Sequence, residues 1–245
     1  MNEEYIFEGN ISVKAALFAK RRIVSQIIVD YKKDDRDTDY ILKEARKRSI
    51  PIIKKEREEI DVIASGKTHG GMIGFGGERN FQQLQDVIKK DKLYLALVEG
   101  IEDPYNFGYI LRTLYAAGVD GVIIPQRNWT SAAAVVTRAS AGASEYLDLI
   151  VASDMEDILS TLHKNQIPLI CAERKDAVSL YDYSFPNRLC IGIGGEMRGL
   201  SKLVKDSATQ NIYIPYGRDM KNALNAAAAT SVVAFEVYRQ LHKSK

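Results

Sequence analysis

Three short segments of this 245-residue chain carry side chains that could form a binding or catalytic site. The first, NFGYILR, places Arg112 inside an apolar helical pattern. Gly108 and Ala116 lie one turn before and after it, so a bare stripe would let a ligand or a partner backbone approach the guanidinium. A solvent-exposed arginine is the simpler interpretation, since most arginines are exposed. The role of Asn106 is equally open, because its side chain could simply cap the helix that follows.

The second segment, IGIGGEMRGL, puts a carboxylate beside glycines at the end of an apolar run. Gly194 and Gly195 would let a ligand approach the backbone closely, and Glu196 comes directly after them. Met197 stands where the third glycine of a dinucleotide-binding fingerprint would fall, so a nicotinamide-dependent oxidoreductase is excluded. The alternative for Glu196 is a carboxylate that only complements the dipole of the next helix.

The third segment runs from Ile214-Pro215 into the helical pattern NALNAAAATSVVAFEVYRQL. Asn222 is predicted to cap this helix, with Asn225 returning to the cap. The four alanines after Asn225 indicate that something packs very close to the first turns. Alanine is also a good helix former, so an ordinary stable helix is the alternative.

Strands and helices alternate from Leu93 onward, and they would position all three segments. Nearly continuous apolar strands between helices predict an α/β fold with a parallel sheet covered on both faces. Ligands of such sheets bind beyond the carboxyl ends of the strands, where the three segments fall. The predicted strands are Leu93–Val98, Gly121–Ile124, Pro168–Ala172, Leu189–Ile193 and Asn211–Pro215, and the predicted helices are Asn106–Ala117, Thr130–Gly142, Met155–Lys164, Leu200–Ser207 and Asn222–Leu241.

Residues 1–78 are predicted to form a separate, smaller α/β domain that ends in a glycine-rich stretch of loops and a short strand. Residues 79–92 are polar and are predicted to be a linker with one helix, which leaves 93–245 as the second domain. The elements predicted for the first domain are a helix at Val13–Ala19, a strand at Ile27–Val29, a helix at Asp39–Arg48, a strand at Ile50–Ile53 and a helix at Glu56–Ile63.

Composition places the chain among ordinary globular proteins of the cytoplasm. It is 46% hydrophobic and 27% charged, and no apolar run approaches the length of a membrane span. Cys171 and Cys190 lie singly in apolar runs, which predicts buried thiols and neither a disulfide nor a metal site. The net charge of +2 neither indicates nor excludes a nucleic-acid partner, because the distribution of charge over the surface decides this.

Together the three segments resemble the SpoU branch of the SPOUT RNA methyltransferases, which includes TrmH. The pattern is Asn106-x-Gly108-x-x-x-Arg112, then Gly194-Gly195-Glu196-x-x-Gly199-Leu200, then Ile214-Pro215 followed by Leu224-Asn225. The stretches FEGNISVKAAL and THGGMIGF resemble the L30e-like substrate-binding domain of that family. The resemblance implies a deep trefoil knot in the C-terminal domain, a homodimer formed through that domain, and methyl transfer from S-adenosylmethionine to a ribose 2′-hydroxyl of RNA.

The resemblance also implies the role of each site residue. Arg112 would be the catalytic residue that engages the phosphate or hydroxyl of the target nucleotide, across the dimer interface. The other catalytic residues would be Asn106 and Asn225, the paired asparagines near the methyl-transfer site, and Glu196, the carboxylate of the second motif. The cofactor would contact backbone groups at Gly194, Gly195, Ile214 and Leu224. Ribosomal RNA is the favoured substrate and transfer RNA the alternative. Candidate RNA-binding cations are Lys14, Lys20, Arg21, Arg22, Arg127 and Arg138.

The third segment departs from the family pattern. Ala223 stands where the family commonly has serine, and the loop YGRDMKNA is about one residue longer than in close relatives. A non-catalytic RNA-binding protein that keeps the fold is therefore the competing prediction. The intact Asn106, Arg112, Glu196 and Asn225 favour the enzyme.

Overall fold

The computed structural model describes residues 4–66, 68–126 and 132–242. No helix within these ranges is long and apolar enough to cross a membrane. In chain order the elements are β1 (Tyr5–Glu8), α1 (Gly9–Ala19), β2 (Val24–Asp30), α2 (Arg36–Lys47), β3 (Ile52–Lys55), α3 (Arg57–Ile63), β4 (Met72–Gly76), α4 (Leu84–Val87), β5 (Leu93–Glu99), α5 (Pro104–Ala116), β6 (Gly121–Pro125), α6 (Ala133–Ala139), α7 (Ala143–Tyr146), β7 (Leu149–Ala152), α8 (Met155–Lys164), β8 (Leu169–Ala172), β9 (Ala177–Ser179), β10 (Arg188–Gly194), α9 (Lys202–Asp206), β11 (Gln210–Tyr213) and α10 (Ala226–Leu241).

The first compact unit consists of Met1–Asn80 together with Asn128–Tyr146. Its sheet has the strand order β1-β4-β2-β3, in which β2 and β3 are parallel and the other neighbours are antiparallel. Phe7, Leu17 and Ile27 are fully buried in its core. Helix α6 packs against β1, and α7 packs against α1.

The second compact unit consists of Phe81–Arg127 and Leu147–Lys245. Its seven strands have the order β7-β6-β5-β10-β8-β11-β9, and every neighbouring pair is parallel. The central strands β5 and β10 are buried along almost their whole length, because helices cover both faces. The predicted α/β fold with a parallel sheet is confirmed; the knot stays a prediction.

The long apolar elements were predictable, whereas three short strands were not. Each of the five strands predicted after Leu93 matches an observed strand to within two residues at either end. The missed strands are β1, β7 and β9, which have four, four and three residues. Such runs are too short to show a period of their own, and their pairing with a neighbouring strand identifies them.

The helix predicted at Thr130–Gly142 is shorter in the structure. Thr130 lies outside the described residues, and the helix α6 covers Ala133–Ala139. It ends there because Ala141 and Gly142 have φ angles of 50° and 82°, which a right-handed helix cannot accommodate. The predicted domain boundaries at residues 78 and 93 stay a prediction. The described residues 132–146, which lie after both boundaries in the sequence, pack within the first unit.

Two ion pairs with buried carboxylates connect α6 and α7 to the rest of the first unit. Arg22 donates to both carboxylate oxygens of Glu145, with Nε–Oε2 at 2.9 Å and Nη2–Oε1 at 3.0 Å, and both side chains are at most 4% exposed. Glu8 accepts from Arg138 Nη1 at 2.6 Å and from the backbone N–H groups of Ser65 and Gly66. A buried charge must be paired in this way, because desolvation otherwise disfavours it strongly.

These pairs change the set of candidate RNA-binding cations. Arg22 is buried against Glu145, so the prediction that it contacts RNA is wrong. The charges of Arg138 and Lys14 are compensated by Glu8 and Asp37, at 2.6 Å and 2.5 Å. Lys20 is exposed and Arg21 is half-buried, so both stay predictions. Arg127 lies outside the described residues.

Glu145→Ala should lower the free energy of unfolding by about 3–5 kcal/mol, because it leaves the buried Arg22 guanidinium without its partner. Urea denaturation of the full chain measures the change. In the double variant Arg22→Met/Glu145→Leu both charges of this pair are absent, so part of the lost stability should return, while the buried Arg79, 3.9 Å from Glu145, lacks its carboxylate in both variants. Equal destabilisation by the single and double variants would show that packing, and not the ion pair, determines the effect.

Candidate functional site

Loops that follow four adjacent strands meet at one edge of the second unit. The strands β5, β10, β8 and β11 are neighbours and point the same way, so the residues after each of them lie at the same edge. These loops begin at Gly100, Gly195, Glu173 and Ile214. The three segments identified in the sequence are therefore brought together, with the β8 loop as a fourth component.

The backbones of the loops after β5 and β10 touch directly at glycines. A Cβ on Gly195 would lie 1.8 Å from the carbonyl oxygen of Gly100, and one on Gly194 would lie 2.6 Å from the amide nitrogen of Leu200. Gly195 N–H donates to the carbonyl of Glu99 at 2.9 Å. Sequence reasoning ascribed these glycines to the approach of a ligand, whereas the structure shows that protein backbone occupies the space beside them.

Glu99 fastens the far end of the same loop. Its carboxylate accepts from Ser201 N–H at 2.6 Å, and Gly199 N–H donates to the carbonyl of Gly195 at 2.8 Å. Gly199 has a φ of 62°, which glycine adopts without strain. The loop from Gly195 to Ser201 is thus held at both ends by one residue of β5.

A main cavity of about 280 Å³ lies between these loops. The four positions predicted to contact a cofactor, Gly194, Gly195, Ile214 and Leu224, all line this cavity. Its wall combines apolar side chains, backbone groups and carboxylates. Further lining residues are Ala172, Glu173, Arg174, Ile193, Glu196, Leu200, Tyr216, Ala223 and Ala226.

A second cavity of about 230 Å³ adjoins the main one, because Glu196 and Ala226 line both. Asn106 lines the second cavity, and its side-chain amide makes no hydrogen bond to any described residue, so it is available to a ligand. The backbone N–H of Asn106 is satisfied by the carboxylate of Asp103 at 2.7 Å. Asp103, and not Asn106, is therefore the cap of α5, with Pro104 in the first turn.

The first turn of α10 connects the second and third segments. Asn225 caps this helix by accepting from Ala228 N–H at 2.7 Å, so the prediction that Asn222 is the cap is wrong. Asn222 lies three residues upstream in an exposed loop. The carboxylate of Glu196 accepts from Ala226 N–H at 3.3 Å. It thus complements the N-terminal dipole of α10, whereas α9 has Ser201 as its own cap.

Arg112 lines neither of these two cavities. It is exposed on α5 and makes no hydrogen bond or ion pair with any described residue. The opposite side of α5 packs against α10, where Thr113 and Ser231 hydroxyls are 3.3 Å apart. The packed helices α5 and α10 expose five aromatic side chains, each 40–47% exposed, which are called the aromatic face below: Tyr105, Tyr109, Tyr115, Phe235 and Tyr238.

Sequence reasoning missed Glu173, Arg174 and Tyr216 as contributors to the main cavity. Glu173 and Arg174 follow β8, and the rule that sites lie beyond strand ends would have identified them. Tyr216 carries no sequence signal. In the structure its hydroxyl accepts from Leu224 N–H at 3.0 Å, and the Arg174 guanidinium lies 5.0 Å from the centre of its ring.

The two cysteines take no part in this chemistry. Cys171 and Cys190 are free thiols, fully buried on β8 and β10, as predicted. Burial raises the pKa of the Cys171 thiol to about 12 and also raises the pKa of Cys190. Thiols of this kind stay protonated near neutral pH and are not nucleophiles. In the ranges that the structure covers, no group of three or more His, Cys, Asp or Glu side chains is placed to hold a metal ion.

Sequence comparison matches both parts of the chain to known families. The model of the SpoU rRNA Methylase family matches residues 92–235, and the model for RNA 2′-O ribose methyltransferase substrate binding matches residues 6–81. A protein of Staphylococcus epidermidis, whose name assigns it to the TrmH family of tRNA/rRNA methyltransferases, is 31% identical over 245 residues, which cover 98% of each chain.

Solved structures share the fold over almost the whole chain. An rRNA methyltransferase from Sinorhizobium meliloti has a TM-score of 0.83 at 19% identity and covers 99% of this chain and 89% of its own. The SpoU methyltransferase AviRb from Streptomyces viridochromogenes, in complex with the cofactor AdoMet, has a TM-score of 0.79 at 19% identity and covers 97% of this chain and 90% of its own. At such low identity these likenesses concern the fold alone.

Gly195→Ala should lower the free energy of unfolding by more than about 2 kcal/mol, because a methyl group 1.8 Å from the Gly100 carbonyl forces two backbones apart. Gly217→Ala is the matched control in the same site, since a Cβ there meets no atom within 4 Å and should change stability by less than about 0.5 kcal/mol. Urea denaturation measures both. Similar stabilities for the two variants would contradict the proposed backbone contact.

Proposed function

Because this chain belongs to the SpoU family of RNA methyltransferases, we propose that it transfers the methyl group of S-adenosylmethionine to a ribose 2′-hydroxyl of ribosomal RNA. The observation that carries the proposal is the pair of adjoining cavities that share Glu196. One cavity is suited to the cofactor, and the other, with the unsatisfied amide of Asn106, is suited to the target ribose.

The main cavity fits the chemistry of the cofactor. Its volume of about 280 Å³ is close to the lower end of ordinary ligand sites, and it continues into the second cavity. Ile214, Leu200 and Leu224 offer apolar contact for a purine, and Glu173 and Glu196 offer carboxylates for hydroxyl groups or a positive charge. When bound, S-adenosylmethionine supplies an electrophilic methyl group on a positively charged sulfur.

The residues of the second cavity and of α5 would act on the RNA hydroxyl. A 2′-hydroxyl is a weak nucleophile near neutral pH, so it needs alignment and help in losing its proton. Asn106 would orient the ribose through its free amide. Arg112 keeps its own proton, so it would hold a phosphate of the target nucleotide and stabilise the alkoxide that develops. A phosphate oxygen is a suitable acceptor for the departing proton.

The position of Arg112 supports a homodimer as the working unit. Within one chain it lines neither of these cavities, and it lies on the same side of α5 as Tyr105 and Tyr109. Exposed aromatic faces of this kind usually bind a partner. A second copy of the chain, paired through the aromatic face, would bring its Arg112 to the cavities of the first.

Structured RNA is the substrate that both family assignments support. The N-terminal unit matches a substrate-binding family of RNA 2′-O-methyltransferases, so we assign RNA capture to it, with the exposed Lys20 as a contact. The family description favours ribosomal RNA. Transfer RNA is the second candidate, since the name of the Staphylococcus relative includes both. We place the reaction in the cytoplasm.

Mapping of 2′-O-methyl groups in total RNA from cells with and without the gene tests the substrate. We expect one ribose of large-subunit ribosomal RNA to lose its methyl group, and the purified protein with S-adenosylmethionine to restore it. Loss from a transfer RNA would establish the second candidate. A purified protein that binds no S-adenosylmethionine at millimolar concentration would instead establish the non-catalytic alternative.

Arg112→Ala should reduce methyl transfer by at least ~100-fold, equivalent to ~2.7 kcal/mol of transition-state stabilisation, while cofactor binding and folding stay normal. Arg112→Lys should restore little, because a point charge does not replace a planar bidentate donor. A single-turnover assay on the mapped RNA measures the rate. A loss of less than threefold would remove Arg112 from the mechanism.

A complementation experiment combines Arg112→Ala with a chain that is intact on α5 and blocked in the main cavity, such as Leu224→Trp. Each variant alone should be inactive. In a reassociated mixture, half of the dimers would be mixed and each would hold one complete site, so about a quarter of the activity should return. An active preparation that sediments only as a 27.4 kDa species would contradict the shared site.

A further inference from the structure

The loop between β11 and α10 forms one wall of the main cavity through Ile214 and Leu224. The structure assigns no helix or strand to it. The bond from Leu224 N–H to the Tyr216 hydroxyl closes the loop on itself. Residues 215–223 make no other hydrogen bond to the described chain, and Ala223 has no side-chain oxygen to provide one.

Arg174 supports this contact from a different strand. Its guanidinium lies 5.0 Å from the centre of the Tyr216 ring, and it forms no ion pair with any carboxylate in the described ranges. A cation over an aromatic face attracts the ring and restricts its orientation. Arg174 follows β8, whose pairing with β10 and β11 holds its backbone in place. The loop is thereby connected to the central sheet.

Tyr216 and Arg174 also line a third cavity of about 350 Å³ beside the main one. The contact between these two side chains, called the latch below, lies in the wall common to the main and third cavities. Because residues 215–223 make no other hydrogen bond to the described chain, we expect the middle of the loop to be more mobile when this contact is lost. The position of Leu224, which lies one residue before the cap of α10, would then vary.

We propose that Tyr216 is a positioning residue that latches the loop 214–224, that Arg174 acts through the Tyr216 ring, and that affinity for S-adenosylmethionine depends on this latch. The inference rests on the proposed function, because it takes the main cavity as the cofactor site. Neither side chain takes part in the methyl transfer itself. The latch should therefore affect binding and leave the chemical step unchanged.

Tyr216→Phe keeps the ring and removes the acceptor. Calorimetry with S-adenosylhomocysteine should show a Kd about 5-fold higher, the effect of one neutral hydrogen bond. The KM for S-adenosylmethionine should rise by a similar factor, while kcat stays within twofold and the melting temperature is unchanged. Tyr181→Phe is the control, since the Tyr181 hydroxyl makes no hydrogen bond to a described residue and Tyr181 lines none of the three cavities. Affinities within twofold for wild type and Tyr216→Phe would overturn the latch.

A double-mutant cycle tests the role of Arg174. Arg174→Met alone should raise the Kd about 3-fold, as expected for one exposed cation–π contact. In a Tyr216→Ala background, where there is no ring to hold, the same change should have no effect. An undiminished effect in that background would show that Arg174 contacts the ligand directly, and would overturn its assignment as a support for Tyr216.

Hydrogen exchange of the Leu224 amide in the ligand-free protein keeps the latch testable whether or not the cofactor binds. Tyr216→Phe should accelerate this exchange several-fold relative to wild type and to Tyr181→Phe. An unchanged exchange rate would exclude the latch even in an active enzyme. A wild-type protein with a protected Leu224 amide and no affinity for S-adenosylhomocysteine would retain the latch and refute the proposed function.

Discussion

The close approach of two backbone segments at Gly100 and Gly195 is the constraint on which the site depends. No side chain separates them, so the loops after β5 and β10 meet at a distance that only glycine allows. Glu99 then holds the β10 loop by its carbonyl and its carboxylate. Since Glu196 follows Gly195 directly, this packing also determines where its carboxylate meets the first turn of α10. The wall that the two cavities share, formed by Glu196 and Ala226, therefore depends on this backbone contact.

The pairing of buried charges reduces the number of cations that this chain of net charge +2 could offer to an RNA substrate. Several cations that look available in the sequence are used inside the first unit, where Arg22 and Arg138 neutralise the buried carboxylates of Glu145 and Glu8. We expect such pairs to favour one packing arrangement for α6 and α7 more than they add to net stability. The cations left for RNA are fewer than the composition suggests, so a small number of exposed positions would determine affinity.

Helix α5 illustrates how one element can serve two surfaces. Ile110, Leu111 and Leu114 are fully buried, and α5 packs against α10, so we expect the helix to be rigid. Its other side presents Arg112 among exposed tyrosines. In the proposed dimer, Arg112 would act at a site of the partner chain, and a rigid support would suit this role because a flexible support would lose orientation. The buried apolar side of α5 would therefore hold the exposed Arg112 in position for its proposed role.

The sequence by itself determined the parallel α/β architecture after Leu93, the buried thiols, and the three segments at the strand ends, because each of these depends on local periodicity and residue type. Tertiary structure decided what local patterns do not contain. Asn106 and Asn222 have the residue type of a cap, yet Asp103 and Asn225 hold those positions, since capping depends on the backbone angle at which the chain enters the helix. Arg22 has the type of a surface cation, yet it is buried against Glu145, a residue far away in the sequence. Tyr216 became visible only through contacts with Leu224 and Arg174, because a contact between distant positions leaves no period in a single sequence.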